Sequence, residues 1–97
     1  MQQVELGGNI VLSGFQDMDG GTMIILKKII GNYARKFSDA TQNFEKLIVS
    51  LNPQNSEYFV DVQLMHDGSS ITSQFSDKNI FFAIDNVMKK IETAVGC

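Results

Sequence analysis

Apolar and polar positions alternate with two different periods along this chain. From Ile10 to Phe15 they alternate by twos, with Ile10 and Leu12 on one face and Val11, Ser13 and Phe15 on the other, as in a half-buried strand. From about Thr22 to Ser38 the spacing changes. Met23, Leu26, Ile30, Tyr33 and Phe37 recur every three or four residues, which makes one apolar stripe of an amphipathic helix. Asp19 or Thr22 can cap its start. Gly31 sits in its middle, where either a close helix crossing or plain tolerance accounts for it. Phe44 to Leu51 is a second strand, ended by a turn at Asn52-Pro53-Gln54-Asn55. Tyr58 to Met65 is a third, with Tyr58, Val60, Val62 and Leu64 alternating against Phe59, Asp61, Gln63 and Met65. Asp67-Gly68 is a strong hairpin-turn signal. It leads into a fourth strand, Ser70 to Phe75, with Ile71 and Phe75 inward and Ser70, Thr72 and Gln74 outward. Ile80, Phe81, Ile84, Val87, Met88, Ile91 and Val95 then form the buried stripe of a second helix, about Lys78 to Val95. Ser76 or Asp77 is its expected N-cap and Gly96 its C-cap.

This order predicts an α+β domain, β-α-β-β-β-α. The first strand, helix and second strand form a parallel crossover unit, and the remaining strands an antiparallel meander. Two-faced strands of this kind suit a mixed four-stranded sheet with both helices packed on one face. Residues 1–8 offer an extra N-terminal strand at Val4-Glu5-Leu6, with Gly7-Gly8-Asn9 as either a tight turn or a bulge within one longer strand. A length of 97 residues fits a single domain, 1–97.

Composition mainly removes possibilities. With 43% apolar and 20% charged residues, the chain has the make-up of a folded globular protein. It has no apolar run of the roughly 20 residues a membrane helix needs. Its opening residues lack the pattern of a signal peptide, so a cytoplasmic location is expected. The one cysteine, Cys97, cannot form an internal disulfide or a thiolate metal site. The one histidine, His66, lies beside the Asp67-Gly68 turn with no serine or cysteine near it in sequence, and reads as a solvated turn residue. Asp17-Met18-Asp19-Gly20-Gly21-Thr22 resembles the Asp-x-Asp-Gly-Thr nucleophile loop of haloacid-dehalogenase-type phosphatases, but an extra glycine interrupts it. Helix capping explains the stretch more simply. No phosphate-cradling glycine loop follows a strand, and the carboxylates are scattered. No catalytic residue, metal site, cofactor or small-molecule substrate is expected.

Charge adds more. The net charge is −3, which disfavours coating nucleic acid by bulk charge. Residues 23–37, however, contain Lys27, Lys28, Arg35 and Lys36 and no acid, so that segment is +4 and the remainder −7. On a helical wheel Lys28 and Arg35 point away from the core stripe, with Lys27 and Lys36 flanking and Asn32 between. The second helix adds Lys89 and Lys90, with Asn86 and Thr93, on its outer side. Two neighbouring helices then show one basic, polar surface that can grip phosphates without reading base edges. The plainer alternative is an ordinary solvated helix face. Phe82 projects opposite the buried stripe of the second helix, and Ile24 and Ile25 fit poorly on that of the first. Clustered exposed apolar groups mark protein contacts. Alternatively the N-terminal segment covers them, or the first turn is not helical.

The element order, and the stretch Asn79-Ile80-Phe81-Phe82-Ala83-Ile84-Asp85 followed by Val87, Lys90-Ile91 and Glu92, resemble the ribosome hibernation-promoting factor family, also called ribosome-associated inhibitors. That family opens its last helix with Asp-Met-Tyr-x-Ala-Ile-Asp. The Val60 to Phe75 hairpin is similar as well, and the opening Gln3-Val4-Glu5-Leu6-Gly7-Gly8-Asn9 more weakly so. The resemblance implies a fold like a double-stranded-RNA-binding domain with an added first strand, in the short form of the family. It implies a stress-response translation inhibitor that binds the small ribosomal subunit, with Lys28, Arg35, Lys36, Lys89 and Lys90 on ribosomal RNA phosphates. The sequence departs from the family in its acidic total and in the lengthened entry Gln16 to Gly21. The alternative function is a protein-interaction module or homodimeric subunit without RNA binding, using Phe82, Ile24 and Ile25 and the mixed sheet face bearing Ile48, Phe59 and Met65.

Overall fold

The computed structural model describes residues 3–6 and 9–96, and Cys97 lies outside them. Its elements are β1 (Gln3–Leu6), β2 (Ile10–Ser13), α1 (Gly20–Ala40), β3 (Phe44–Gln54), β4 (Glu57–His66), β5 (Ser69–Asp77) and α2 (Ile80–Val95). The strands form one sheet in the order β1-β2-β3-β4-β5. The β2–β3 pair across the α1 crossover is parallel, and the other three pairs are antiparallel. The expected α+β mixed sheet is therefore present. The optional N-terminal strand forms, and it adds a fifth member at the edge opposite β5.

One face of the sheet holds the core. Leu47, Val49 and Leu51 of β3 and Val60, Val62 and Leu64 of β4 alternate inward and are fully or nearly fully buried. Leu26, Ile30, Ala34 and Phe37 of α1, together with Ile80, Ala83, Ile84, Val87, Met88 and Ile91 of α2, close over them. Burying a large aliphatic side chain contributes roughly 1.5–3 kcal/mol, so these stripes fix which sides of the helices face out. α1 lies over β3 and α2 over β4 and β5, and the two helices touch along their flanks.

Four local expectations change. Phe15 does not share a face with Val11 and Ser13. The strand stops at Ser13, and Gly14 takes φ +83°, which turns Phe15 into the core. A Cβ on Gly14 would collide with the Leu51 carbonyl oxygen, so this turn requires glycine. Pro53 does not end its strand. β3 continues to Gln54, and Pro53 pairs in register with Tyr58. The β2 neighbour covers only Leu47 to Ser50, so that flank of β3 is open at Pro53, where a missing N–H does no harm. The turn falls instead at Asn55-Ser56, with Asn55 at φ 55°. The N-cap of α2 is neither Ser76 nor Asp77, because both remain in β5 opposite Phe59 and Tyr58. Asn79 takes the role, its side-chain oxygen accepting from the N–H groups of Phe81 (2.9 Å) and Phe82 (3.2 Å). Finally, a Cβ on Gly31 would meet nothing within 4 Å, so no helix crossing inside the chain accounts for it. It costs about 1 kcal/mol relative to alanine in a helix interior.

Candidate nucleic-acid interface

The acidic loop before α1 supplies the helix cap. Asp19 is the N-cap, accepting from the Thr22 N–H (3.1 Å) and the Thr22 hydroxyl (2.7 Å). These bonds favour the ionised form and hold its pKa below the usual carboxylate value. His66 is the last residue of β4, beside a turn whose Asp67 and Gly68 both have positive φ. Among the described residues, no three His, Cys, Asp or Glu side chains converge as a metal site. No helix among the described residues is long and apolar enough to cross a membrane.

Charge divides the molecule by layer. The two helices carry six cations and three acids, a net of +3, while the rest of the chain carries two cations and eight acids, a net of −6. Within the helical layer the cations differ in what surrounds them. Lys36 faces the seam between the helices, where its Nζ donates to Glu92 Oε2 at 3.0 Å and lies 5.5 Å from the Tyr33 ring centre. Lys89 pairs with Asp85 at 3.1 Å, one turn back on α2. Asp85 also accepts from the Tyr33 hydroxyl at 2.7 Å across the seam. That hydrogen bond, and secondarily Lys89, keeps the Asp85 carboxyl below its ordinary pKa. Burial first, then the Asp85 carboxylate, raises the Tyr33 phenol well above its own. Lys90 lies against β5, its Nζ 5.2 Å from the Phe75 ring centre and donating to the Gln74 carbonyl at 3.0 Å.

Lys27, Lys28 and Arg35 have no ion pair among the described residues. All three are exposed, on the side of α1 turned away from the sheet. Of the five cations expected to touch phosphate, the structure leaves Lys28 and Arg35 on this outer side. It gives Lys36 and Lys89 carboxylate partners and sets Lys90 against a strand. Surface ion pairs are worth about 0–1 kcal/mol, so Lys36 and Lys89 are not locked, but each shares its field with an acid.

The residues missed from sequence are Tyr33, Asp85 and Glu92. Their signal was spacing. Asp85 and Glu92 are seven apart on one side of α2, and Tyr33 and Lys36 are three apart on one side of α1. Only the packing shows that these sides meet.

The apolar candidates remain exposed: Ile24 by 70%, Ile25 by 50% and Phe82 by 53%. The first turn of α2 is helical, and β1 lies at the far edge of the sheet from β5. Neither an irregular turn nor cover by the N-terminal strand therefore explains Phe82. Its ring sits edge-on to Phe75, with centres 6.1 Å apart.

No protein-family model matches the sequence, and neither does any curated protein. Solved structures do match in shape. A ribosomal subunit interface protein from Coxiella burnetii superposes with a TM-score of 0.67 at 15% identity, over 91% of each chain. The N-terminal domain of Protein Y from Thermus thermophilus gives a TM-score of 0.65 at 17% identity, over 90% of this chain and 91% of that one. The fold is shared across nearly the whole length. At these identities the likeness extends to the fold alone.

Proposed function

We propose that this chain binds the small ribosomal subunit and inhibits translation there as a hibernation factor, holding ribosomal RNA phosphates against its helical layer. One observation carries the reading. Lys27, Lys28 and Arg35 stand together on the outer side of α1 without ion pairs, in a chain whose total charge is negative. An acidic protein that groups three exposed cations without ion pairs on one helix face suits a polyanion on that face, while its acidic remainder repels one elsewhere. The fold it shares with a ribosomal subunit interface protein supports the choice of polyanion. Lys28 and Arg35 are the principal contacts, Arg35 able to grip a phosphate bidentately. Lys36, Lys89 and Lys90 are peripheral. Contacts of this type position the protein without reading sequence, so shape and charge select the site. The role is binding, without bond chemistry.

Co-sedimentation with purified small subunits at low and high salt tests this. Wild-type protein is expected to pellet with subunits at 50 mM salt and to be released as salt rises. Three phosphate contacts give an affinity loss of roughly 20- to 40-fold between 50 and 200 mM salt. Equal binding by a Lys28→Glu, Arg35→Glu double variant would remove the basis for the proposal.

A second reading is favoured by Phe82, half exposed on α2 and stacked edge-on against Phe75 beside the free edge of β5. It makes the chain a protein-binding module or homodimer. A monomer at all concentrations, with Phe82→Ala leaving function intact, rules it out.

A further inference from the structure

Gly31 is an unexplained weak point in the middle of α1, outside its buried stripe. A mid-helix glycine is justified by a positive φ or by the close approach of another element. Neither applies, because Gly31 is helical and a Cβ there would point into open space. Its neighbours on the helix surface supply a different reason. The positions three and four residues away on a helix lie beside any given residue. For Gly31 these are Lys27, Lys28, Ala34 and Arg35. Ala34 is buried beneath, and the other three are the cations of α1 without an ion pair among the described residues. Lys28 and Arg35 are seven residues apart, about 10.5 Å along the axis at 1.5 Å per residue, with Gly31 near the midpoint.

Building on the RNA-binding reading above, we propose that Gly31 is the floor of a phosphate notch. A backbone phosphate of RNA sits against the bare helix at Gly31, and Lys27, Lys28 and Arg35 close on it from either side. A side chain at this position would hold the phosphate off the helix surface and lengthen all three contacts at once. The missing side chain is thus a device for close approach, as glycine is wherever a backbone must come near a ligand. Gly31 is a positioning residue. It donates no contact but sets the distance for the three that do.

The test measures thermal melting alongside affinity for small subunits and for a structured RNA, at 50 mM salt, in Gly31→Ala, Gly31→Leu and the Lys28→Glu, Arg35→Glu double variant. Both Gly31 variants are expected to melt higher than wild type, since alanine and leucine are better helix formers. They are nonetheless expected to bind more weakly, about threefold for alanine and tenfold or more for leucine. That opposition separates a notch from a merely structural glycine. If both Gly31 variants bind like wild type while the double variant loses affinity, the notch is refuted and the RNA-binding reading stands. If wild-type protein itself shows no salt-sensitive RNA affinity, both are overturned.

Discussion

Arg35 and Lys36 are adjacent in sequence but differ in electrostatic surroundings. Arg35 faces solvent on the outer side of α1 with no ion pair. Lys36, about 100° around the helix, turns into the seam with α2, where Glu92 takes its charge at 3.0 Å and Tyr33 lies beneath it. The seam is an internal polar network: Tyr33 donates to Asp85, Asp85 pairs with Lys89, and Lys36 pairs with Glu92. The outer face carries three cations that form no ion pair among the described residues, with Asp39 the one acid of α1. Of the seam cations, Lys36 links one helix to the other and Lys89 pairs within α2. Outer cations repel one another and gain only when an anion arrives. A count of lysines treats the two alike, whereas their availability to a ligand is opposite.

The largest effect that can break this contrast is on affinity. Lys28→Glu with Arg35→Glu is expected to weaken small-subunit binding by about 50-fold or more at 0.1 M salt, from two lost phosphate contacts. Lys36→Ala with Lys89→Ala is expected to change it less than about threefold. Equal losses in the two pairs would show that the seam lysines are as available as the outer ones.

Next comes stability. Tyr33→Phe removes the hydrogen bond to the Asp85 carboxylate and is expected to cost about 1–2 kcal/mol in denaturant unfolding, with RNA affinity unchanged. The same bond has a pH signature at both ends. The Asp85 pKa is lowered in the folded state, so its contribution is present above the unfolded value near 4. That contribution is lost as pH falls through the lower folded value. The Tyr33 pKa is raised, so its contribution is present below about 10 and lost as pH rises beyond it. Ultraviolet titration should show one of the two tyrosines ionising late, and Tyr33→Phe should abolish that late step. A single normal tyrosine titration for both would contradict the seam network.

The smallest effect sharpens the contrast from the opposite direction. Asp85→Asn with Glu92→Gln frees Lys36 and Lys89 from their partners. It should tighten RNA binding by about three- to tenfold at 50 mM salt and steepen its salt dependence by up to about two further phosphate contacts. Unchanged affinity would place the seam outside the interface.

Much of the fold was legible in the pattern of apolar residues. Both helices, the three long strands and the Asp67-Gly68 turn follow from periodicity and from residues whose backbone preferences are strong. The failures were local and share a cause. Phe15 was assigned to the wrong face because alternation cannot register a left-handed glycine that re-aims the chain. Pro53 read as a strand end because its tolerance depends on whether a neighbouring strand needs the missing donor. Asn79 was passed over as a cap because Ser76 and Asp77 look equally good until β5 claims them. The candidate site divides in the same way. The outward direction of Lys28 and Arg35 was readable from the wheel, and so was the spacing of Lys89 to Asp85 one turn back, but the partners of Lys36 and Lys90 were not.

The sequence by itself therefore determined the order of elements, the buried stripe of each helix and, by subtraction, the side on which the α1 cations emerge. Each of these depends on residues within a few turns of one another, where helix and strand geometry leaves little freedom. Beyond the local Lys89–Asp85 pair, the tertiary structure decided which cations keep their charge for a partner. That depends on carboxylates some fifty residues away being carried to within hydrogen-bond range, as with Lys36 and Glu92 or Tyr33 and Asp85. Coulomb interaction at a few ångströms follows distance in space, and only the packing of α2 against α1 sets that distance.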